Sequence, residues 1–234
     1  MVALGQPRAF GLVAGMGVGA SIFYYQSLVD AHLVRGLSPR LIMVHADLHY
    51  VMSQATARNI KVLSKYLAGL LRQLALGGAE IASIPAFAPQ VCAHELAAIA
   101  PLPLVSLLDA IAAEVERRRF QRVALFGSRV TMETQMFGRL DQTEVIAPTP
   151  TEIDTIAEIY TRVVQEARVS ACDYERLRLL AHTLIRRERL DGIILAGTDL
   201  AVVFNPDNAD FSHLDGARIH IDAIMRAIVN PSPR

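Results

Sequence analysis

Short aliphatic runs alternate along this chain with longer stretches in which apolar residues recur every three or four positions. The runs at 10–13, 41–44, 80–84, 103–105, 123–126, 144–147 and 192–195 predict β-strands, because near-continuous Val, Ile and Leu suit a strand buried on both faces. The periodic stretches at 22–34, 56–76, 107–118, 151–167 and 173–188 predict helices, with Arg, Lys and Glu filling the positions between the apolar ones. Alternation of the two kinds predicts parallel sheets covered by helices on both faces. Two halves open alike, each with a strand and a glycine-bearing turn, at 10–19 and at 123–131. The expected fold is therefore α/β, with two pseudo-symmetric lobes, each a parallel four-stranded sheet flanked by helices, and a ligand site in the cleft between them.

Composition narrows the partners. Hydrophobic residues make up 52% of the 234, but charges interrupt every apolar run before the roughly 20 residues that a membrane span needs. The first eight residues lead directly into a strand and show no basic segment followed by an apolar one, so no secretion signal is expected. Lys and Arg (23) balance Asp and Glu (23), and no basic stripe interleaves with aromatics, which gives nucleic acid no electrostatic foothold. Small neutral or anionic ligands fit better. The two cysteines, Cys92 and Cys172, match no metal or redox spacing; a cytoplasmic, reducing setting is the simplest expectation, with a disulfide between them left open.

In open parallel sheets, ligands gather beyond the carboxyl ends of the strands, so the turns after the strands carry the information. The first turn reads Ala14-Gly15-Met16-Gly17-Val18-Gly19-Ala20-Ser21 and leads into a helix whose unpaired N–H groups suit an anion. A carboxylate-binding loop follows from that. The glycine spacing does not match the dinucleotide fingerprint. His45 and His49 flank Asp47, but a third metal ligand is not apparent, and no metal is expected.

The stretch from Gly11 to Gly17 leading to Tyr24-Tyr25 resembles the amino-terminal signature of aspartate racemases and their relatives. His45-Ala46-Asp47 to Ser53-Gln54 is similar to the second substrate loop of that superfamily. Phe126-Gly127-Ser128-Arg129-Val130-Thr131 is similar to its second glycine turn, and Leu195-Ala196-Gly197-Thr198-Asp199-Leu200 to its last active-site turn. The resemblance implies two lobes, residues 1–106 with 213–234 and residues 107–212, a homodimer, and cofactor-independent proton transfer between two facing cysteines. Neither cysteine is here. Ala86, in Pro85-Ala86-Phe87-Ala88-Pro89-Gln90, stands at the first cysteine position and Gly197 at the second. Neither side chain holds a proton, so two-thiol chemistry is excluded at these positions. Cys92, six residues beyond Ala86, lies more than a helical turn of about 5.4 Å away and reads as a small core hydrophobe. Cys172 reads as structural. Relatives that resemble arylmalonate decarboxylases lack one cysteine, but they keep the second.

Candidate acids and bases are Asp47, Thr198 and Asp199, with His45, His94 and Tyr24 also near the expected pocket. Asp199 reads equally as a helix cap and Asp47 as a solvated loop carboxylate. By resemblance, the ligand is contacted by Met16, Gly17, Gln54, Ala86, Phe87, Ala88, Gly197 and the run Ser128, Arg129, Val130 and Thr131. Arg168 falls near a carboxylate-pairing lysine and suits a bidentate grip, or a helix-end cation. Two functions remain open. One is an isomerase or lyase that binds a small amino, keto or malonic acid and moves a proton without thiols. The other is a non-catalytic carboxylate-binding sensor or partner protein.

Overall fold

In the computed structural model the described residues are 7–229; residues 1–6 and the tail 230–234, which the sequence reading joins to the first lobe, lie outside them. Three parallel strands form the first sheet: β1 (Phe10–Ala14), β2 (Leu41–His45) and β3 (Ile81–Ser83), in the order β2-β1-β3. β1 is buried along its whole length, as a strand apolar on both faces must be when it runs through the middle of a helix-covered sheet.

The fourth strand expected here is not formed. Residues 103–105 touch the sheet by one parallel bridge, Leu104 opposite Ala82. Pro101 and Pro103 supply no N–H, and the chain turns into a helix at Ser106. The second sheet has four parallel strands, β4 (Arg122–Gly127), β5 (Glu144–Val145), β6 (Gly192–Ala196) and β7 (His213–Asp215), in the order β5-β4-β6-β7. β7 is absent from the sequence reading. Its hydrogen bonds attach 213–215, which that reading gives to the first lobe, to the second sheet instead.

Nine helices are present among the described residues: α1 (Val18–Val34), α2 (Leu48–Thr56), α3 (Ile60–Leu76), α4 (Ala93–Ile99), α5 (Leu107–Arg118), α6 (Arg129–Glu133), α7 (Pro150–Glu166), α8 (Ala171–Glu188) and α9 (Gly216–Val229). The helix expected over 56–76 begins at Ile60, because Arg58 takes a left-handed backbone (φ 52°) that closes α2. α7 starts on a capping box: the Thr149 hydroxyl accepts from the Glu152 N–H, the Thr149 N–H donates to Glu152 Oε2 at 2.8 Å, and Pro150 occupies the first turn.

Contacts from the turns around the cleft help tie the lobes together. Phe87, from the turn after β3, is 2% exposed and packs into the second lobe's core beside Ile111 and Leu195. The Thr198 hydroxyl, from the turn after β6, donates to the Pro85 carbonyl at 3.0 Å. α9 returns to the first lobe, where Ile221, Ile224 and Met225 pack with Phe10, Leu12 and Tyr24. The Tyr24 hydroxyl pairs with His220 Nδ1 at 2.9 Å, and His220 Nε2 faces Ser83 Oγ (2.9 Å) and the Val105 carbonyl (3.1 Å). Burial pushes His220 down to about 4, so the ring is neutral at pH 7, with the Tyr24 hydroxyl donating to Nδ1 and Nε2–H donating outward.

Candidate active site

A cavity of about 200 Å3 opens where the turns of both lobes converge. The first lobe supplies Met16 after β1, Leu48, His49, Val51 and Met52 of α2, and Ala86 to Pro89 after β3. The second supplies Ser128 after β4 and one stripe of α7, Tyr160, Thr161, Val164 and Gln165. The opposite face of α7, Ile153, Ile156, Ile159 and Val163, is buried in the second core, which is what turns the stripe toward the cleft. Such a volume lies below the roughly 300–1,000 Å3 typical of drug-sized ligands and suits a small metabolite.

Of the residues singled out from sequence, Met16, Ala86, Phe87, Ala88 and Ser128 line this cavity. The others do not. Asp47 is exposed and caps α2, its Oδ1 accepting from the Tyr50 N–H at 3.0 Å. The Thr198 hydroxyl is spent on Pro85, and Thr131 is buried beneath Ser128, the two hydroxyls 2.8 Å apart. Gln54 accepts from Asn59 at 2.9 Å on the surface. Arg129 pairs with Asp154 and Glu133, and Val130 sits in the same short helix outside the cavity wall. Arg168 has its side chain 79% exposed and pairs with Glu166, so it grips nothing in the cleft. His45 and Tyr24 are also outside, and His94 lines a separate open groove.

The anion site expected at the start of α1 is filled from within. Asp199 is 0% exposed, and its Oδ1 accepts the Ala20 N–H at 2.9 Å. This is the helix-terminal N–H that an external carboxylate would have used. A β-carbon on Gly17 would stand 2.6 Å from Asp199 Oδ1 and closer still to Oδ2. Oδ2 has no hydrogen-bond partner, and burial pushes the carboxyl up to about 6. Asp199 thus supports the turn rather than facing the cavity.

Gly197 has an extended backbone, φ −149°, that any residue adopts. Its lack of a side chain has a spatial cause. A β-carbon there would lie 2.7 Å from Tyr160 Cζ and closer to Cε2. The tyrosine ring occupies the space into which a cysteine at 197 would project. Sequence reading by turns alone overlooked Tyr160. The signal was present in α7, whose core face is accounted for by Ile153, Ile156, Ile159 and Val163, leaving Tyr160 and Val164 as apolar residues on a second face. Leu48, Met52, Thr161 and Gln165 were overlooked for the same reason, and His49 was weighed only as a metal ligand.

No Asp, Glu, Lys or Arg among the described residues lines the cavity; its titratable groups are His49 and Tyr160. The Tyr24, Tyr66 and Tyr174 hydroxyls are held by His220, the Asp47 N–H and the Asn208 carbonyl, whereas the Tyr160 hydroxyl has no partner among the described residues. Burial, reinforced by the Asp199 carboxylate, raises the Tyr160 phenol well above its usual value. Cys92 is no substitute thiol. It is 0% exposed, donates to the Pro89 carbonyl at 3.2 Å, and is pushed up to about 12 by burial, which suppresses the reactive thiolate. Cys172 is exposed on the first turn of α8, and both cysteines are free, which closes the disulfide alternative.

The Asp/Glu/Hydantoin racemase family model matches residues 13–224. No curated protein matches the chain. Among solved structures, a candidate Asp/Glu racemase from Yersinia pestis is similar at 23% identity and TM-score 0.79, covering 93% of this chain and 98% of that one. An aspartate racemase homologue from Pyrococcus horikoshii OT3 is similar at 21% identity and TM-score 0.78, covering 94% and 99%. A variant of arylmalonate decarboxylase in liganded form is similar at 15% identity and TM-score 0.58, covering 98% and 95%. At these identities the likeness is one of fold, and it is the match of the family model over 13–224 that assigns the chain: it belongs to the Asp/Glu/hydantoin racemase family.

Proposed function

We propose that this chain is a cofactor-independent isomerase or lyase that binds a small carboxylic acid, amino, keto or malonic, in the cleft cavity and moves a proton at its α-carbon without thiols. The observation that carries this reading is the cavity itself, shared by both lobes and lined by Ala86, which by resemblance stands at the family's first cysteine position. The Ser128 hydroxyl and the Gln165 amide orient the acid, while Thr161 spends its proton on the Ala157 carbonyl at 2.8 Å, and the apolar remainder selects an apolar α-substituent. Incubation in deuterated water with a panel of small amino, keto and malonic acids, followed by NMR, is expected to show loss of an α-proton signal or decarboxylation for at least one acid. A second reading, a carboxylate-binding sensor, is favoured by the engagement of Asp47 and Thr198 elsewhere. It predicts ligand-induced shifts in the protein without turnover.

The homodimer is carried forward on α1, which exposes Val18 (54%), Ile22 (58%), Tyr25 (49%) and Leu33 (61%) at helical spacing. Replacing Ile22 by Glu is expected to convert a dimer to a monomer in sedimentation velocity while leaving the fold intact. Wild-type protein that sediments as a monomer would remove the dimer. The two free cysteines fit a reducing cytoplasm, and no helix among the described residues is long and apolar enough to cross a membrane.

A further inference from the structure

We infer that the Tyr160 phenol is the proton donor of the cleft, delivering its proton to the α-carbon of a bound enediolate from the side where the family's second thiol would stand. The inference rests on the functional reading above and gives it a residue and a direction. Three observations support it. The Tyr160 ring fills the space that a side chain at 197 would enter, and Gly197 has no backbone reason to be glycine. Tyr160 lines the same cavity as the Ala86 turn of the other lobe. Its hydroxyl, unlike those of the other well-packed tyrosines, is committed to no protein group among the described residues.

The chemistry then runs one way. A phenol raised above its usual value by burial and by Asp199 is protonated at neutral pH; it donates a proton to a carbanion and does not abstract one from an α-carbon. His49, the other titratable lining residue, is exposed on α2. In the proposed step the carbanion forms by a bond cleavage that leaves an electron pair on the α-carbon, which needs no base. With a malonic acid carrying an apolar α-substituent, the bond from the α-carbon to one carboxylate breaks and CO2 leaves. The pair stays on the α-carbon as the enediolate. The Tyr160 O–H bond breaks as the new C–H bond forms, and solvent returns one proton to the phenolate. A wall without cations, made largely of Met16, Val51, Met52, Ala86 and Val164, favours loss of a charged carboxylate over its retention.

The test uses the full chain with 2-methylmalonate and 2-phenylmalonate in deuterated water, wild type beside Tyr160→Phe. Phenylalanine keeps the ring against Gly197, and an unchanged unfolding midpoint verifies the fold. The expected result is CO2 release with one deuterium at the product's α-carbon. Tyr160→Phe should slow it on the order of 10²–10⁴-fold while ligand affinity stays within about threefold. Wild-type turnover that Tyr160→Phe leaves within about tenfold overturns the assignment and leaves the functional reading standing. The same follows if the malonates are inert while amino or keto acids exchange their α-protons. Binding without any turnover overturns both the assignment and the enzymatic reading.

Discussion

Gly17→Ala is expected to destabilise the fold by roughly 4 kcal/mol, the sum of a positive-φ strain of about 1–3 kcal/mol and an overpacking cost of about 1–3 kcal/mol. The first arises because Gly17 sits at φ 133°, where any β-carbon is strained. The second arises because that β-carbon would press on the Asp199 carboxylate, which is buried and anchored to Ala20. The two causes separate in a double-mutant cycle. Asp199→Ala alone loses the bond to the Ala20 N–H and costs about 1–3 kcal/mol. In the Gly17→Ala background it also relieves the collision, so the pair should be less harmful than the sum by about 1–2 kcal/mol. Urea unfolding of the four proteins measures this, and strict additivity would assign the whole cost to the backbone.

The second large effect is electrostatic and is hidden in the wild type. Asp199 is pushed up to about 6 in the fold against about 3.9 unfolded, so between pH 4 and 6 the folded state holds a proton that the unfolded state has released. Stability from this group therefore rises as pH falls through that window, by about 3 kcal/mol at 1.4 kcal/mol per unit. His220 works in the opposite sense. It is pushed down to about 4 from about 6.5, so the unfolded state takes up the proton first and stability falls by about 3 kcal/mol as pH drops from 6.5 to 4. The two nearly cancel. Asp199→Asn removes one and exposes the other: the variant should lose about 3 kcal/mol of unfolding free energy between pH 6.5 and 4, relative to the wild-type change over the same range. The raised stabilities of Glu114, Glu152 and Asp210, each held near 2 by arginine partners, are lost only at lower pH and equally in both proteins. Parallel curves for the two proteins would mean that Asp199 is not charged and buried as described.

Aliphatic runs such as 123–126 and 192–195 were readable as strands because fully buried strands need no alternation to declare themselves. His213–Asp215 was not, since three residues carry no period and their pairing with β6 is a tertiary event. The cleft itself was readable, because the turns holding Met16, Ala86 and Ser128 follow strands directly. The charged candidates were not. Asp47, Arg129 and Arg168 are the residue types that bind carboxylates, but caps and surface pairs compete for them, and no local pattern tells which partner wins. Tyr160 is the complementary case: it lies mid-helix and 37 positions before Gly197, and only packing brings the two together.

The abutment of Tyr160 on Gly197 also constrains descent. With the ring in place, a codon change that puts cysteine at 197 meets a collision before it meets a substrate, while loss of the ring alone leaves a void beside glycine. Neither single substitution is neutral for packing, so residues 160 and 197 are coupled. Across homologues, the identities at 160 and 197 should change together: a large aromatic with glycine, or a small side chain with cysteine.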